Sequence, residues 1–127
     1  MKVKVFLAIV VSCLLVFSCK KKDSFDVLEA QRQMAGVWVC VEDGEEPYEI
    51  TISIAGVSNV HIKNLFDMGG EEVVVMNLLS ETSSLVPPQT VNGSSIGGTG
   101  VISERYRKMT LTVTVGSNTI VIACTKK

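Results

Sequence analysis

Four cysteines, a single histidine and two clusters of charge are the residues of this 127-residue chain whose types and spacing bear on chemistry. His61 alternates with Val60 and Ile62, which places it on the polar face of a strand with no nucleophile or metal partner beside it. A structural zinc site takes four N or S ligands, and the one histidine with the two cysteines that remain once Cys13 and Cys19 are set apart cannot make such a set, so no metal and no cofactor is expected. The run Glu42-Asp43-Gly44-Glu45-Glu46, with Glu49 nearby, crowds oxygen ligands of the kind Ca²⁺ takes. Its spacing follows no EF-hand loop, and it reads as a solvated hairpin turn. Arg105-Tyr106-Arg107-Lys108 is the basic counterpart, either a cation-flanked ring suited to stacking on a sugar or contacting an anionic polymer, or a charged hairpin end. Gly97-Gly98-Thr99-Gly100 lacks the Lys-Ser/Thr pair of a phosphate loop, so its glycines point to a bent or bulged strand. With no nucleophile and base, no metal set and no partner base for the acidic cluster, no enzyme is expected.

The cysteines separate by position. Lys2, Lys4, the apolar run Val5 to Phe17 and the small Ser18 make a signal peptide, because the run falls short of the roughly 20 residues that span a bilayer. Cys19 follows directly, ahead of Lys20, Lys21 and Lys22. The stretch Val16-Phe17-Ser18-Cys19 resembles the lipobox of bacterial lipoproteins, which implies acylation of Cys19 and a mature chain that begins there. Cys13 then leaves with the signal, Cys19 is consumed by lipid, and Cys40 and Cys124 remain in an oxidising compartment. They either form a disulfide or stay as buried thiols that behave as small hydrophobes.

The elements that position these residues follow from periodicity. Residues 1–18 form the signal peptide, 19–35 a lipidated tether and short helix, and 36–127 one β-domain; the mature length suits a single core. Losing Lys2 and Lys4 leaves ten basic against thirteen acidic residues, a mildly acidic surface that argues against nucleic acid. Ser24 to Ala35 predicts a helix capped by Ser24 and stopped by Gly36, with Phe25, Leu28 and Gln31 on one face. Beyond it, Tyr48, Ile50, Ile52 and Ile54 alternate with polar residues, as do Val60 and Ile62, then Met109, Leu111, Val113 and Val115, then Ile120, Ile122 and Cys124. Asp67-Met68-Gly69-Gly70, Asn92-Gly93 and Gly116-Ser117-Asn118 suit tight antiparallel hairpins. Pro87-Pro88 should end or flank an edge segment. Val73 to Leu79 is apolar on both parities, which predicts a strand covered on both faces or a second contact surface. The fold expected is mainly β: a single antiparallel up-and-down barrel or barrel-like meander of about eight strands. If it closes, the inward-facing Cys40 and Cys124 meet where the first strand joins the last.

Two resemblances add to this. Gly36-Val37-Trp38, directly after a short helix, resembles the G-x-W element of lipocalins and other calycin-like barrels, in which the Trp closes one barrel end backed by a basic residue near the end of the last strand, here Lys126 or Lys127. The succession Tyr48-Glu49-Ile50-Thr51-Ile52, Val60-His61-Ile62-Lys63-Asn64-Leu65, Val86-Pro87-Pro88-Gln89-Thr90-Val91, Gly98-Thr99-Gly100-Val101-Ile102 and Lys108-Met109-Thr110-Leu111-Thr112-Val113 is similar to small lipoproteins of Bacteroidota. That likeness implies a lipid anchor in the outer membrane, with the periplasmic and cell-surface sides both open. The function expected is a structural or interaction module with an envelope protein partner; a lipocalin-like binder of a small apolar ligand is the alternative.

Overall fold

Alternating apolar and polar residues build strands with one wet and one dry face, and short turns force them to run antiparallel. The computed structural model describes residues 25–127, so Cys19, the signal segment and the expected Ser24 cap lie outside it. Among the described residues, helix α1 (Val27–Met34) precedes β1 (Gly36–Glu42), β2 (Tyr48–Ala55), β3 (Asn59–Lys63), β4 (Val73–Leu78), β5 (Ser83–Val91), β6 (Ser94–Ser103), β7 (Lys108–Val115) and β8 (Asn118–Lys126). The strands pair in sequence order and β1 pairs with β8, closing an eight-stranded antiparallel barrel.

The helix is shorter than expected and turned differently. Asp26 caps it, its carboxylate accepting from Glu29 N at 3.2 Å. The buried face is Ala30, Gln31 and Met34, while Leu28 is 48% exposed. Ala35 ends the helix and Gly36 already belongs to β1, so Gly36 is no helix stop. Gln31 anchors α1 over the barrel mouth: its Nε2 donates to the carbonyls of Ala55, Gly56 and Asn59 at 2.9–3.2 Å, which serves backbone groups of the β2–β3 turn that the helix would otherwise cut off from water. Ile54 lies at this rim and is half exposed, so the inward set of β2 ends at Ile52.

The proline strand is the second correction. Pro87-Pro88 lies inside β5, with no sheet edge, and the bulge sits there: between Val86↔Gly98 and Gln89↔Ile96 two prolines oppose the single Gly97. Two missing N–H donors break the ladder to β4, which keeps only Asn77↔Leu85 and Leu78↔Ser84. Gln89 repairs it with its side chain: Oε1 accepts from Val75 N and Nε2 donates to Val75 O, each at 2.9 Å. Gly98 and Gly100 serve close approach. A Cβ on Gly98 would stand 2.1 Å from Thr112 O, and one on Gly100 2.3 Å from Ser84 Oγ.

Turns divide likewise. Asn92-Gly93 forms a two-residue hairpin with both residues left-handed, φ 51° and 77°. The β3–β4 connection is no tight hairpin. Leu65 is fully buried, so the segment folds back over the barrel as a 3₁₀ turn, Leu65–Asp67, before Gly69. β4 turns Val74, Met76 and Leu78 inward and leaves its other face half-buried.

The interior is packed. Trp38, Met34, Ile50, Ile52, Ile62, Met76, Met109, Leu111 and Ile122 are among the buried apolar side chains of one core that runs from α1 through the barrel.

Candidate functional site at the helix-capped end

Because the chain runs up and down, each connection falls at one of two barrel ends. Helix α1 and the β2–β3, β4–β5 and β6–β7 turns share one end; the β1–β2, β3–β4, β5–β6 and β7–β8 connections share the other.

At the helix-capped end a cleft of about 520 Å³ opens between α1, the β4–β5 turn and the β6–β7 turn. Glu29, Gln33, Glu81, Arg105, Tyr106 and Arg107 line it. The turn itself is unusual: Glu104, Arg105 and Tyr106 are successive left-handed residues, φ 52°, 54° and 66°, with no glycine among them. Each costs of order 1 kcal/mol, so the surroundings must hold the turn in place. Tyr106 packs against the core, and burial together with the nearby Glu81, Asp26 and Glu29 pushes its phenol up from the usual value. Glu104 is paired with Lys108 at 3.6 Å and Glu29 with Arg32 at 3.9 Å. Among the described residues no carboxylate lies within ion-pair distance of Arg105 or Arg107. The basic cluster is thus a left-handed turn that offers two guanidiniums around a half-buried ring.

Trp38 is fully buried beneath the helix, and its Nε1 donates to Met34 O at 2.8 Å. Across the seam its register partner is Lys126, whose ammonium donates to Gln33 O and whose pKa is lowered by burial and by Arg107. Gly36 lies at the same rim, with Lys126 packed beside it. Deeper along the seam Cys40 and Cys124 are register partners, both buried, their thiol sulfurs 2.9 Å apart. The contact with Cys40, then burial, pushes the Cys124 thiol far up.

The remaining candidates lie elsewhere. His61 is half-buried on the outer face of β3, between Ser53 and Val75. The acidic hairpin is at the opposite end, where Glu42 accepts from Tyr48 Oη at 2.9 Å; Tyr48 Oη in turn accepts from Phe66 N at 3.1 Å. Burial and the Glu42 carboxylate raise the Tyr48 phenol. Among the described residues no cluster of three or more His, Cys, Asp or Glu is arranged to hold a metal.

Sequence reasoning missed the apolar tip Val57 and reached Leu79 only as the end of the Val73 to Leu79 stretch, read as a strand covered on both faces or a second contact surface. Val57 is 86% exposed in the β2–β3 turn and Leu79 57% exposed after β4, both at the helix-capped end with Leu28. Their signal was present in Gly56-Val57-Ser58 and Leu79-Ser80, apolar residues set between turn formers. The left-handed turn left no such trace, since Glu, Arg and Tyr seldom adopt it.

No protein-family model, curated protein or solved structure matches the chain. The class rests on geometry alone: a closed eight-stranded antiparallel meander barrel, capped by one helix and carrying a charged cleft at that rim.

Proposed function

We propose that this chain is a lipid-anchored module of the bacterial outer membrane that binds an envelope component through its barrel ends and catalyses no reaction. The observation that carries the mode of binding is the packed interior, while the anchor rests on the lipobox resemblance at Cys19. An eight-stranded barrel is just wide enough either to be filled by side chains or to hold one small ligand. Here Trp38, Met76, Leu111 and Ile122 occupy the space, Met34 enters from the helix, and Gly98 and Gly100 are needed for neighbouring groups to fit. Binding is left to the rims and outer face.

The second reading is a lipocalin-like binder of a small apolar ligand. Trp38 facing Lys126 across the seam favours it, since that is the arrangement the G-x-W resemblance implies. One experiment separates the two. Chemical cross-linking in intact outer membranes with Cys19 unaltered, followed by mass spectrometry of what copurifies, should return a reproducible protein partner. A stoichiometric lipid or metabolite that survives purification, with no cross-linked protein, overturns the module in favour of the binder.

A further inference from the structure

The two barrel ends differ in charge, and the exposed apolar residues of the turns and helix lie at one of them, while Val41 and Val121, also exposed, sit on the strands beside the acidic hairpin. The far end carries Glu42, Asp43, Glu45 and Glu46 in the β1–β2 hairpin and Asp67, Glu71 and Glu72 in the β3–β4 connection, with Lys63, among the described residues, as the one basic residue near them. The helix-capped end carries Arg32, Arg105, Arg107, Lys108, Lys126 and Lys127; Arg32, Lys108 and Lys127 are paired with Glu29, Glu104 and Glu49, which leaves Arg105, Arg107 and Lys126 against the acids Asp26 and Glu81. The same end holds the exposed Leu28, Val57 and Leu79. The elements that carry these three are joined: Leu78 N donates to Ser58 O at 2.9 Å, linking the two turns, and Gln31 ties α1 to the first of them. Apolar tips at the same end as arginines and a half-buried tyrosine form the composition that settles at a lipid headgroup layer, where guanidiniums bind phosphate bidentately and tyrosine bridges wet and dry zones.

We propose that the helix-capped end is a membrane-contact surface, seating Val57, Leu79 and Leu28 at the headgroup boundary and Arg105 and Arg107 on lipid phosphates. The proposal rests on the anchoring reading, and chain length supports it. From Cys19 to Phe25 is six residues, at most about 20 Å of extended chain. The ten residues of β6, at about 3.3 Å each and a tilt near 40°, make the barrel about 25 Å tall. A tether of that reach leading into α1 keeps the capped end at the bilayer and holds the acidic end out of contact. With the Debye length about 8–10 Å, the acidic loops then escape repulsion by an anionic surface.

The test is amide hydrogen exchange on the full acylated protein in vesicles of phosphatidylethanolamine with phosphatidylglycerol, compared with neutral detergent micelles. Exchange should slow at residues 27–34, 56–58, 79–82 and 104–107 and stay unchanged at 42–46 and 67–72. Removing both guanidiniums in the double variant Arg105→Gln, Arg107→Gln should weaken the protection at 104–107 by about 5-fold per arginine, with β7 amides unaltered as proof of folding. Val57→Ser with Leu79→Ser should weaken protection at those turns. Equal exchange at both ends, protection at the acidic end, or protection that needs added envelope protein overturns the proposal while acyl mass on the Cys19 peptide leaves anchoring intact. A Cys19 peptide without acyl mass overturns the anchor, and the membrane-contact surface with it.

Discussion

Cys40 and Cys124 face each other across the joint that closes the barrel, sulfur to sulfur at 2.9 Å, the first strand's thiol against the last strand's. Directly opposed residues of an antiparallel pair have Cα atoms about 4.5–5.5 Å apart, within the span of a disulfide.

Oxidation of this pair should therefore staple the seam. The cysteines are 84 positions apart, and chain-entropy reasoning for such a loop gives about 4.5 kcal/mol of stabilisation. For a domain of this size that corresponds to a rise in Tm on the order of 20 °C. A non-reducing peptide map should show the Cys40–Cys124 linkage after exposure to oxidised glutathione, and calorimetry of oxidised against reduced protein should show the shift. Free thiols after oxidation would exclude the staple. Cys124→Ala should bring the oxidised melting point down to near that of the reduced protein.

The reduced protein should lose stability on the alkaline side. Cys124 and Tyr48 both hold their protons more tightly folded than unfolded, so the folded state binds more protons once the unfolded groups begin to ionise. Their contribution is complete below the ordinary thiol value of 9.0 and is progressively lost above it, joined by the phenol above 10.0. Each group gives a slope of about 1.4 kcal/mol per pH unit. Urea melts from pH 8 to 11 should show the decline, oxidation should remove its thiol part, and Tyr48→Phe should remove its phenol part. A flat profile in reduced protein would contradict the burial of both groups.

The barrel was legible because its signals are local. Alternation in Met109–Val115 and Ile120–Cys124 places side chains by parity alone, and parity brought Cys40 and Cys124 to one face before any pairing was known. What escaped depends on partners distant in sequence. Gln31 looks like one polar position on a helix, yet its amide serves three carbonyls 24 to 28 residues away. Prolines suggested an edge because their missing donors are visible in sequence, whereas Gln89 repairing the ladder is not. Of the candidate site, Arg105-Tyr106-Arg107 was recognisable by type, but its cleft needs α1 and the β4–β5 turn beside it.

The glycines of β6 give a contrast within one strand. Gly98→Ala sets a Cβ against the Thr112 carbonyl, backbone that cannot swing aside, and should cost at least about 3 kcal/mol. Gly100→Ala meets Ser84 Oγ and the Leu111 side chain, which can shift, and should cost about 1–3 kcal/mol. Gly97→Ala finds its nearest atoms at 3.6 Å and should stay within about 1 kcal/mol. Chemical denaturation of the three variants should rank them in that order; equal losses would mean the interior is looser than its packing indicates.

The side chain of Gln89 offers the sharpest test of how the proline bulge is tolerated. Its amide replaces two ladder bonds on Val75 and also donates to Pro87 O at 3.0 Å. Gln89→Ala leaves the Val75 N–H and C=O without their partner in a half-buried place that water reaches only in part, so the expected loss is about 2 kcal/mol. Gln89→Glu is the more telling change. Ionised, it still accepts from Val75 N but turns a carboxylate oxygen toward two carbonyls it can no longer serve as a donor. Protonated, it regains one donor. Burial and the facing carbonyls should raise its folded pKa above the unfolded value near 4.3, so relative to the parent its stability should be greatest below that value and fall as pH rises through the folded pKa. Melts of both variants between pH 4 and 7, read with exchange at the Val75 amide, should show a constant deficit for alanine and a pH-dependent one for glutamate. Variants that match the parent at both pH values would show that β4 and β5 are held together without Gln89.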